Sequence, residues 1–138
     1  MNTYTYNETQ IGMSESFNVK ITEKMLSMFR EISGDENPLH CVDEYALEKG
    51  YPGRVVYGLL TSSFYSTIAG MYLPGKRSLL HSLDIKLLKP VFVGDTLKIE
   101  GKITEKHDAF EIIFIKALIT NQKGEKVSKA TLQVGVSK

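Results

Sequence analysis

The sequence predicts an α+β fold, a single domain spanning residues 1–138 in which one long central helix is wrapped by an antiparallel β-sheet. Three observations lead to this prediction. The chain has 138 residues, close to the usual size of one domain. Residues 58–72 form a nearly uncharged segment, with no Asp or Glu between Glu48 and Asp84, so a helix there should be buried. The strand-like segments that follow have connections too short for crossover helices, which indicates antiparallel pairing.

The region before the central helix predicts a strand and two helices. Ser14–Lys20 alternates weakly between apolar and polar residues, as a short strand does. Thr22 is a good helix N-cap and is followed by apolar residues at helical spacing. The glycine within Ser33–Asp35 should end this helix, because glycine is favoured just past a helix C-terminus. Asp43 is expected to cap a second, shorter helix that runs to about Lys49.

Four further strands are predicted after the central helix: Leu79–Lys89, Thr96–Thr104, Phe110–Thr120 and Val127–Val136. The alternation is clearest in the second of them, where apolar and charged residues take turns and so occupy opposite faces. The sequence Asn-Gln-Lys-Gly at residues 121–124 is expected to form the turn between the last two strands. These segments complete the predicted antiparallel sheet.

Composition and charge exclude several classes of protein. Seventeen basic and sixteen acidic residues leave a net charge of +1, without the basic excess that nucleic-acid binding requires. The uncharged stretch from Val55 to Gly75 contains Ser, Thr, Gly and Pro, so it predicts a buried helix rather than a membrane span. The first ten residues lack the basic and apolar regions of a signal peptide, and the lone Cys41 has no partner for an internal disulfide. We therefore expect a cytoplasmic protein that binds neither nucleic acid nor membrane.

The segment Ser-Gly-Asp-Glu-Asn-Pro-Leu-His at residues 33–40 is the strongest candidate for chemistry. It places a carboxylate, Asp35, five residues before an imidazole, His40, in a loop that Pro38 stiffens. A general acid–base pair needs both groups held near one substrate atom, and a rigid loop can provide this. Structural roles are equally compatible with the spacing, because Asp35 could cap the next turn and His40 could be a hydrogen-bonded structural residue.

The start of the central helix is the second candidate. The N-terminus of a helix presents free N–H groups and a partial positive charge, and Gly58 allows a ligand oxygen to approach the backbone closely. This arrangement could polarise a carbonyl group, although Gly58 could also serve only close packing of helix on sheet. Ser66, eight residues later, could support a carboxylate if buried. The other hydroxyls of the helix are expected to bond back to helix carbonyls.

Other motifs are weaker. Residues 70–76 match most of a phosphate-loop pattern, but Arg77 stands where Ser or Thr is required and the segment ends a helix, so we reject nucleotide hydrolysis. A nucleophilic pair of Cys41 and His40 is weak, since adjacent residues need not face one another. The spacing of His, Cys, Asp and Glu shows no metal-ligand pattern. We expect neither a metal nor a redox cofactor.

Residues 29–46, with the sequence FREISGDENPLHCVDEYA, resemble the signature of MaoC-like, (R)-specific enoyl-CoA hydratases. The resemblance extends over nearly the whole chain. It includes YGLL at residues 57–60 and LKPVFVGD at residues 88–95. The core Gly-Asp-x-Asn-Pro-Leu-His is specific, and the order of the flanking segments adds to it.

The resemblance implies a hotdog fold and reversible syn addition of water to a trans-2-enoyl thioester carried on CoA or an acyl-carrier protein. It implies a dimer with sites near the subunit interface, or larger assemblies of such dimers. By the same resemblance Asp35 and His40 are catalytic, with the acid and base roles undivided between them. The resemblance likewise implies that the Gly58 N–H is the oxyanion donor, that Ser66 supports the site and that Asn37 braces the loop.

One position departs from the family pattern, because many members carry His where this chain has Tyr57. This residue either shapes the pocket or contacts the substrate. Two rival functions remain at this stage: a hotdog thioesterase, and a non-catalytic module that binds acyl thioesters. Thioesterases of this fold usually place a carboxylate on or beside the central helix, which here has none. A binding module would have little use for two desolvated polar groups.

Overall fold

One five-stranded sheet forms the body of the protein in the computed structural model, which describes residues 1–138. The strands are β1 (Ser14–Lys20), β2 (Ser78–Leu87), β3 (Thr96–His107), β4 (Ile112–Thr120) and β5 (Lys126–Val136). Their order in the sheet is β1-β3-β4-β5-β2, and every neighbouring pair is antiparallel. The predicted antiparallel sheet is thereby confirmed, together with the glycine turn at residues 121–124, where Gly124 has φ 75°.

The strand boundaries differ from the prediction by a few residues. β3 runs three residues further, to His107, and β4 begins at Ile112 rather than Phe110. The reason is a short 3-10 turn at Asp108–Phe110, which is followed by a left-handed Glu111 with φ 51°. Phe110 therefore points out of the sheet, 77% exposed, instead of beginning a strand.

Four α-helices lie outside the sheet: α1 (Glu23–Ser33), α2 (Pro38–Cys41), α3 (Asp43–Glu48) and α4 (Gly58–Thr67). The predicted ends of α1 are confirmed, since the Thr22 hydroxyl accepts from the Met25 N–H at 3.3 Å and Gly34 has φ 70°. The prediction that Asp43 caps α3 is wrong. Asp43 lies inside the first turn, and its carboxylate instead accepts from the Arg54 N–H and pairs with the Arg54 guanidinium at 3.3 Å.

The long helix predicted from residue 58 to residue 72 is made of two parts. α4 ends at Thr67, and a π-helical turn continues it over Ile68–Tyr72. The wider turn is closed by the Leu73 N–H, which donates to the Ile68 carbonyl at 2.8 Å. Leu73 is fully buried after this turn, and Tyr72 stacks on Phe17 of β1 at 5.5 Å between ring centroids.

The core lies between α4 and the concave face of the sheet. Tyr65, Ile68 and Ala69 are buried against inward-facing residues of β3, β4 and β5. Gly101 of β3 lets the helix come close, because a Cβ at this position would lie 2.7 Å from the Ile68 side chain. The opposite face of α4 is uncovered in the single chain, and Leu59 is 70% exposed. In a single chain the helix is therefore buried on the face that the sheet covers, and its opposite face stays open.

The N-terminal residues contact the end of β3 and the short turn that follows it. Tyr6 is buried, and its hydroxyl donates to the Asp108 carboxylate at 2.6 Å. The Lys106 ammonium lies over the Tyr6 ring and donates to the carbonyls of Tyr6 and Thr9. No helix of the protein has the length and apolarity that crossing a bilayer requires.

We predict that the buried hydroxyl pair between α4 and β5 stabilises the packing of the helix on the sheet. The Tyr65 hydroxyl donates to the Ser128 hydroxyl at 2.8 Å, and both residues are almost fully buried. Tyr65→Phe should lower the free energy of unfolding by about 1–3 kcal/mol, because it leaves the Ser128 hydroxyl unpaired. The double variant Tyr65→Phe/Ser128→Ala should regain part of this loss in urea unfolding. A double variant no more stable than Tyr65→Phe would contradict the prediction.

Candidate active site

The loop between α1 and α2 is ordered by its own polar side chains. The Ser33 hydroxyl accepts from the Asp35 N–H at 3.1 Å, and the Asp35 carboxylate accepts from the Asn37 N–H at 3.0 Å. The Asn37 side chain then accepts from the Leu39 N–H and caps α2, which has Pro38 in its first turn. His40, expected in a loop, therefore lies on a short helix. This helix forms because Asn37 and Pro38 are both favourable at its N-terminus.

His40 is held in one orientation by two contacts. Its Nδ1 lies 2.6 Å from the Val55 carbonyl oxygen. A carbonyl can only accept, so Nδ1 must carry the proton, and Nε2 is the acceptor of the neutral ring. The imidazole also stacks on the Tyr57 ring, with centroids 4.2 Å apart and planes 30° apart. In the neutral, half-buried ring, Nε2 is thus the nitrogen that can accept a proton.

Tyr57 stacks on the His40 ring and is only 2% exposed. Its hydroxyl donates to the backbone carbonyl of Asp35 at 2.6 Å and contacts the Cys41 Sγ at 3.5 Å. On its other side the ring packs against Phe29. Burial, and then the Cys41 contact, raise the pKa of Tyr57 to about 12. The phenol therefore stays protonated, and able to donate, at neutral pH.

The backbone amide of Gly58 begins α4 and finds no acceptor within the chain. Its carbonyl, by contrast, accepts from the hydroxyls of Thr61 and Ser62 at 2.9 and 2.7 Å. This confirms the expectation that helix hydroxyls bond back to helix carbonyls. A Cβ on Gly58 would collide with the Leu87 side chain. The lack of a side chain at Gly58 therefore allows close packing against Leu87, and its backbone N–H stays free at the partly positive end of the helix.

His40 and Gly58 line the same cavity, whose volume is about 440 Å³. Thr61 adds a third polar group near them. The rest of the wall is mainly apolar and comes from the segment before α4, from the end of β2 and its continuation, and from β5: Val55, Val56, Leu87, Leu88, Pro90, Val91 and Val127. Tyr51 and Lys89 complete the lining. A predominantly apolar cavity with a few polar groups is the usual form of a small-molecule site.

A larger groove, of about 630 Å³, lies on the outer face of the sheet. Its lining is polar and largely charged, with lysines from β3 and β4 and only two hydrophobic residues. It contains neither a histidine nor a helix N-terminus. The candidate site is therefore the smaller cavity at His40 and Gly58, although the groove is larger.

The other residues singled out in the sequence do not line this cavity. The Asp35 side chain is exposed, and Asn37 supports α2 from the loop. Tyr57 is behind His40, and Ser66 is exposed on the uncovered face of α4 without a hydrogen bond to Asp35. Sequence reasoning missed the Val55 carbonyl, which fixes the His40 ring. A backbone acceptor fifteen residues away leaves no mark in the residue pattern.

No group of three or more His, Cys, Asp or Glu side chains in the structure is arranged to hold a metal ion. The lone Cys41 is half-buried and unpaired.

A helix wrapped by an antiparallel sheet, with an imidazole and a free helix amide at an apolar cavity, defines a hotdog domain with an enzyme-like site. The MaoC-like domain profile matches residues 7–124. The chain therefore belongs to the MaoC-like domain family, as the sequence resemblance predicted.

Relatives of known activity are similar over most of the chain. An (R)-specific enoyl-CoA hydratase of Rhodospirillum rubrum is 30% identical over 105 residues, which cover 73% of each protein. The (R)-specific enoyl-CoA hydratase of Aeromonas caviae is 28% identical over 83% of this chain and 86% of that protein. A 3-hydroxybutyryl-CoA dehydratase of Methylorubrum extorquens is 27% identical over 72% of this chain, and this match spans 64% of that relative's length.

Solved structures agree with the fold. An R-hydratase of Pseudomonas aeruginosa, in the unliganded form, superposes with a TM-score of 0.91 at 26% identity, over 97% of this chain and 86% of that one. The (R)-hydratase of Aeromonas caviae gives a TM-score of 0.89 at 26% identity, over 93% and 97% of the two chains. The predicted hotdog fold is confirmed.

We predict that neutral His40 exists as the Nδ1–H tautomer, because the Val55 carbonyl accepts only from a protonated Nδ1. Long-range ¹⁵N–¹H NMR correlations of histidine-labelled protein above pH 7 should show a pyrrole-type Nδ1 and a pyridine-type Nε2 for this residue. The exposed His81 provides an internal reference. An Nε2–H signal for His40 would contradict the arrangement.

Proposed function

We propose that the protein is a hydro-lyase that catalyses reversible syn hydration of trans-2-enoyl thioesters to (R)-3-hydroxyacyl thioesters. Membership of the MaoC-like family and the hydratases among its relatives support this activity. The observation that carries the proposal is the single cavity that has both the His40 ring and the Gly58 amide on its wall. These are the two groups that water addition to an enoyl thioester needs most, a proton acceptor and an oxyanion donor.

The geometry suggests how the thioester binds. Its carbonyl oxygen accepts a hydrogen bond from the Gly58 N–H at the positive end of α4. The acyl chain then lies along the apolar wall that contains Leu87, Leu88 and Val91. The amide interaction strengthens as negative charge develops on the oxygen, so it stabilises the transition state more than the bound substrate.

Water addition then proceeds with its protons balanced. The water oxygen bonds to C3 while one of its protons passes to the Asp35–His40 pair. The electron pair of the C2=C3 bond moves toward the thioester, whose oxygen is stabilised by Gly58. A proton returned to C2 on the same face completes the addition and restores the pair. His40 is oriented for proton transfer by Val55, which leaves Nε2 as the acceptor of the neutral ring.

The part of Asp35 in this proposal rests on its place in the motif and on its link to His40. Its carboxylate is bound by the Asn37 N–H, and its backbone is bound by the same Tyr57 whose ring stacks on the imidazole. Asp35 and His40 are thus fixed against one common residue.

Thioester cleavage is the nearest alternative activity. α4 carries no Asp or Glu, so the carboxylate that this alternative would place on the helix is missing. The binding-module alternative is disfavoured by the free Gly58 amide and the oriented imidazole.

We predict that crotonyl-CoA loses its enoyl-thioester absorbance in the presence of the protein without release of thiol. Asp35→Asn or His40→Ala should each lower turnover by at least about a hundredfold, the usual scale of acid–base assistance. Glu36→Gln is the matched control, since Glu36 is an exposed neighbouring carboxylate that pairs only with Arg30. Thiol release would identify a thioesterase, and binding without reaction would identify a binding module. Near-normal rates in both variants would refute the assigned roles.

We propose that the protein forms a homodimer through the β2 edge of the sheet. β2 is an edge strand, and large apolar side chains are exposed along it and just beyond its end: Leu79, Leu80, Leu87 and Leu88. α4, which has one uncovered face, contacts this strand. A second copy would cover both surfaces and pair the free strand. Ser66 is on that face, so a supporting role for it depends on the assembled dimer.

We predict that Leu79→Arg weakens self-association by about tenfold or more, because a charge would have to be buried at the strand edge. Leu47→Arg is the matched control: Leu47 is 56% exposed, against 55% for Leu79, but belongs to α3 and not to the β2 edge. Sedimentation or light scattering over a dilution series measures the effect. Equal behaviour of the two variants would exclude this edge as the interface.

The carrier of the acyl group in this proposal is CoA or an acyl-carrier protein, and the location is cytoplasmic. A lone unpaired cysteine is consistent with a reducing compartment.

A further inference from the structure

We propose that Tyr57 is a positioning residue that fixes the Asp35 loop, the His40 ring and the start of α4 relative to one another. This inference rests on the proposed hydratase function. It assigns to Tyr57 a role that acts through the catalytic groups and not through contact with substrate.

The first contact holds the Asp35 loop. Residues 34–37 are exposed, and their other hydrogen bonds and ion pairs stay within the neighbouring turns of α1 and α2. The Tyr57 hydroxyl, at 2.6 Å from the Asp35 carbonyl oxygen, is their one hydrogen bond to a distant part of the chain. Without it the loop that carries the carboxylate would be joined to the cavity only through α2.

The second contact holds the imidazole. The Tyr57 ring covers one side of the His40 ring at 4.2 Å, while the Val55 carbonyl holds Nδ1 in the ring plane. The Val55 N–H also donates to the Leu39 carbonyl at 3.0 Å. The segment from Val55 to Tyr57 is therefore bound to α2 by backbone and side chain together.

The third contact begins the helix. The Tyr57 carbonyl accepts from the N–H groups of Leu60 and Thr61 at 3.1 and 3.2 Å, which makes Tyr57 the N-cap of α4. The next amide along the chain is that of Gly58. One buried residue is thus connected to all three groups that the proposed reaction uses.

Contact of Tyr57 with substrate is not supported by its position. It is absent from the lining of the 440 Å³ cavity and lines instead a separate, small pocket between α1, His40 and Cys41. Its only hydroxyl is already used by the Asp35 carbonyl. The histidine that many members of the family carry at this position has no hydroxyl, so this phenol–carbonyl hydrogen bond requires the tyrosine.

Tyr57→Phe tests the inference because it keeps the stacked ring and removes only the hydroxyl. We expect kcat for crotonyl-CoA to fall about tenfold, as loss of one hydrogen bond predicts, with KM changed by less than about twofold. Amide hydrogen exchange should become faster at residues 34–37. Cys41→Ala is the matched control, because it removes the other neighbour of the hydroxyl and should leave kcat and exchange unchanged.

A double-variant cycle separates positioning from general stabilisation. If Tyr57 acts through Asp35, adding Tyr57→Phe to Asp35→Asn should lower kcat little further, whereas independent effects would multiply. Multiplying effects, a normal kcat in Tyr57→Phe, or a rise in KM with kcat unchanged would overturn the inference. Failure of the proposed function has a different signature: the wild-type protein would not hydrate enoyl thioesters, and hydrogen exchange would then still decide whether Tyr57 holds the loop.

Discussion

The packing of α4 against the sheet is the constraint on which the rest of the site depends. Gly101 removes the side chain that would keep Ile68 away, and the hydroxyls of Tyr65 and Ser128 join helix and sheet inside the core. These contacts hold the C-terminal part of the helix, and Leu87 packs closely against Gly58 at its start, so the first amide has a fixed place at the cavity. A preorganised amide needs no rearrangement when charge develops on a bound oxygen, and in the proposed reaction this would be the basis of its effect on rate.

The second half of the site is assembled from short-range interactions that are individually weak. Ser33, Asp35 and Asn37 order the loop within itself, and Asn37 with Pro38 starts α2. Such local bonds fix the shape of the loop but not its position relative to α4. That position comes from the segment between Val55 and Tyr57, which bonds to both. The chemistry of the site therefore depends on three residues that precede the helix as much as on the motif itself.

Sequence patterns predicted the sheet well because alternation reports directly on which face of a strand is buried. Gly34 and Thr22 likewise predicted the ends of α1, since positive φ and side-chain capping are local requirements. The π-turn at Ile68 and the role of Asp43 were not predictable, because both are set by tertiary partners, the closing bond from Leu73 and the ion pair with Arg54.

The candidate site was predicted in part. Asp35, His40 and Gly58 were found from their motif and from the chemistry of a helix N-terminus, and the structure places His40 and Gly58 on one wall. The contacts of Tyr57 could not be read from the sequence, because its hydroxyl bonds to a backbone carbonyl twenty-two residues away. The supporting role considered for Ser66 was conditional on burial, and its exposure follows from a helix face that one sheet cannot cover.

The end of β2 and the residue after it belong both to the cavity and to the exposed edge of the sheet. Leu87 and Leu88 form part of the cavity wall and also belong to the uncovered apolar edge of the sheet. In the proposed hydratase dimer, selection for a longer or shorter acyl group would act on these leucines and would at the same time reshape the proposed interface. Substrate preference and quaternary structure would then not evolve independently.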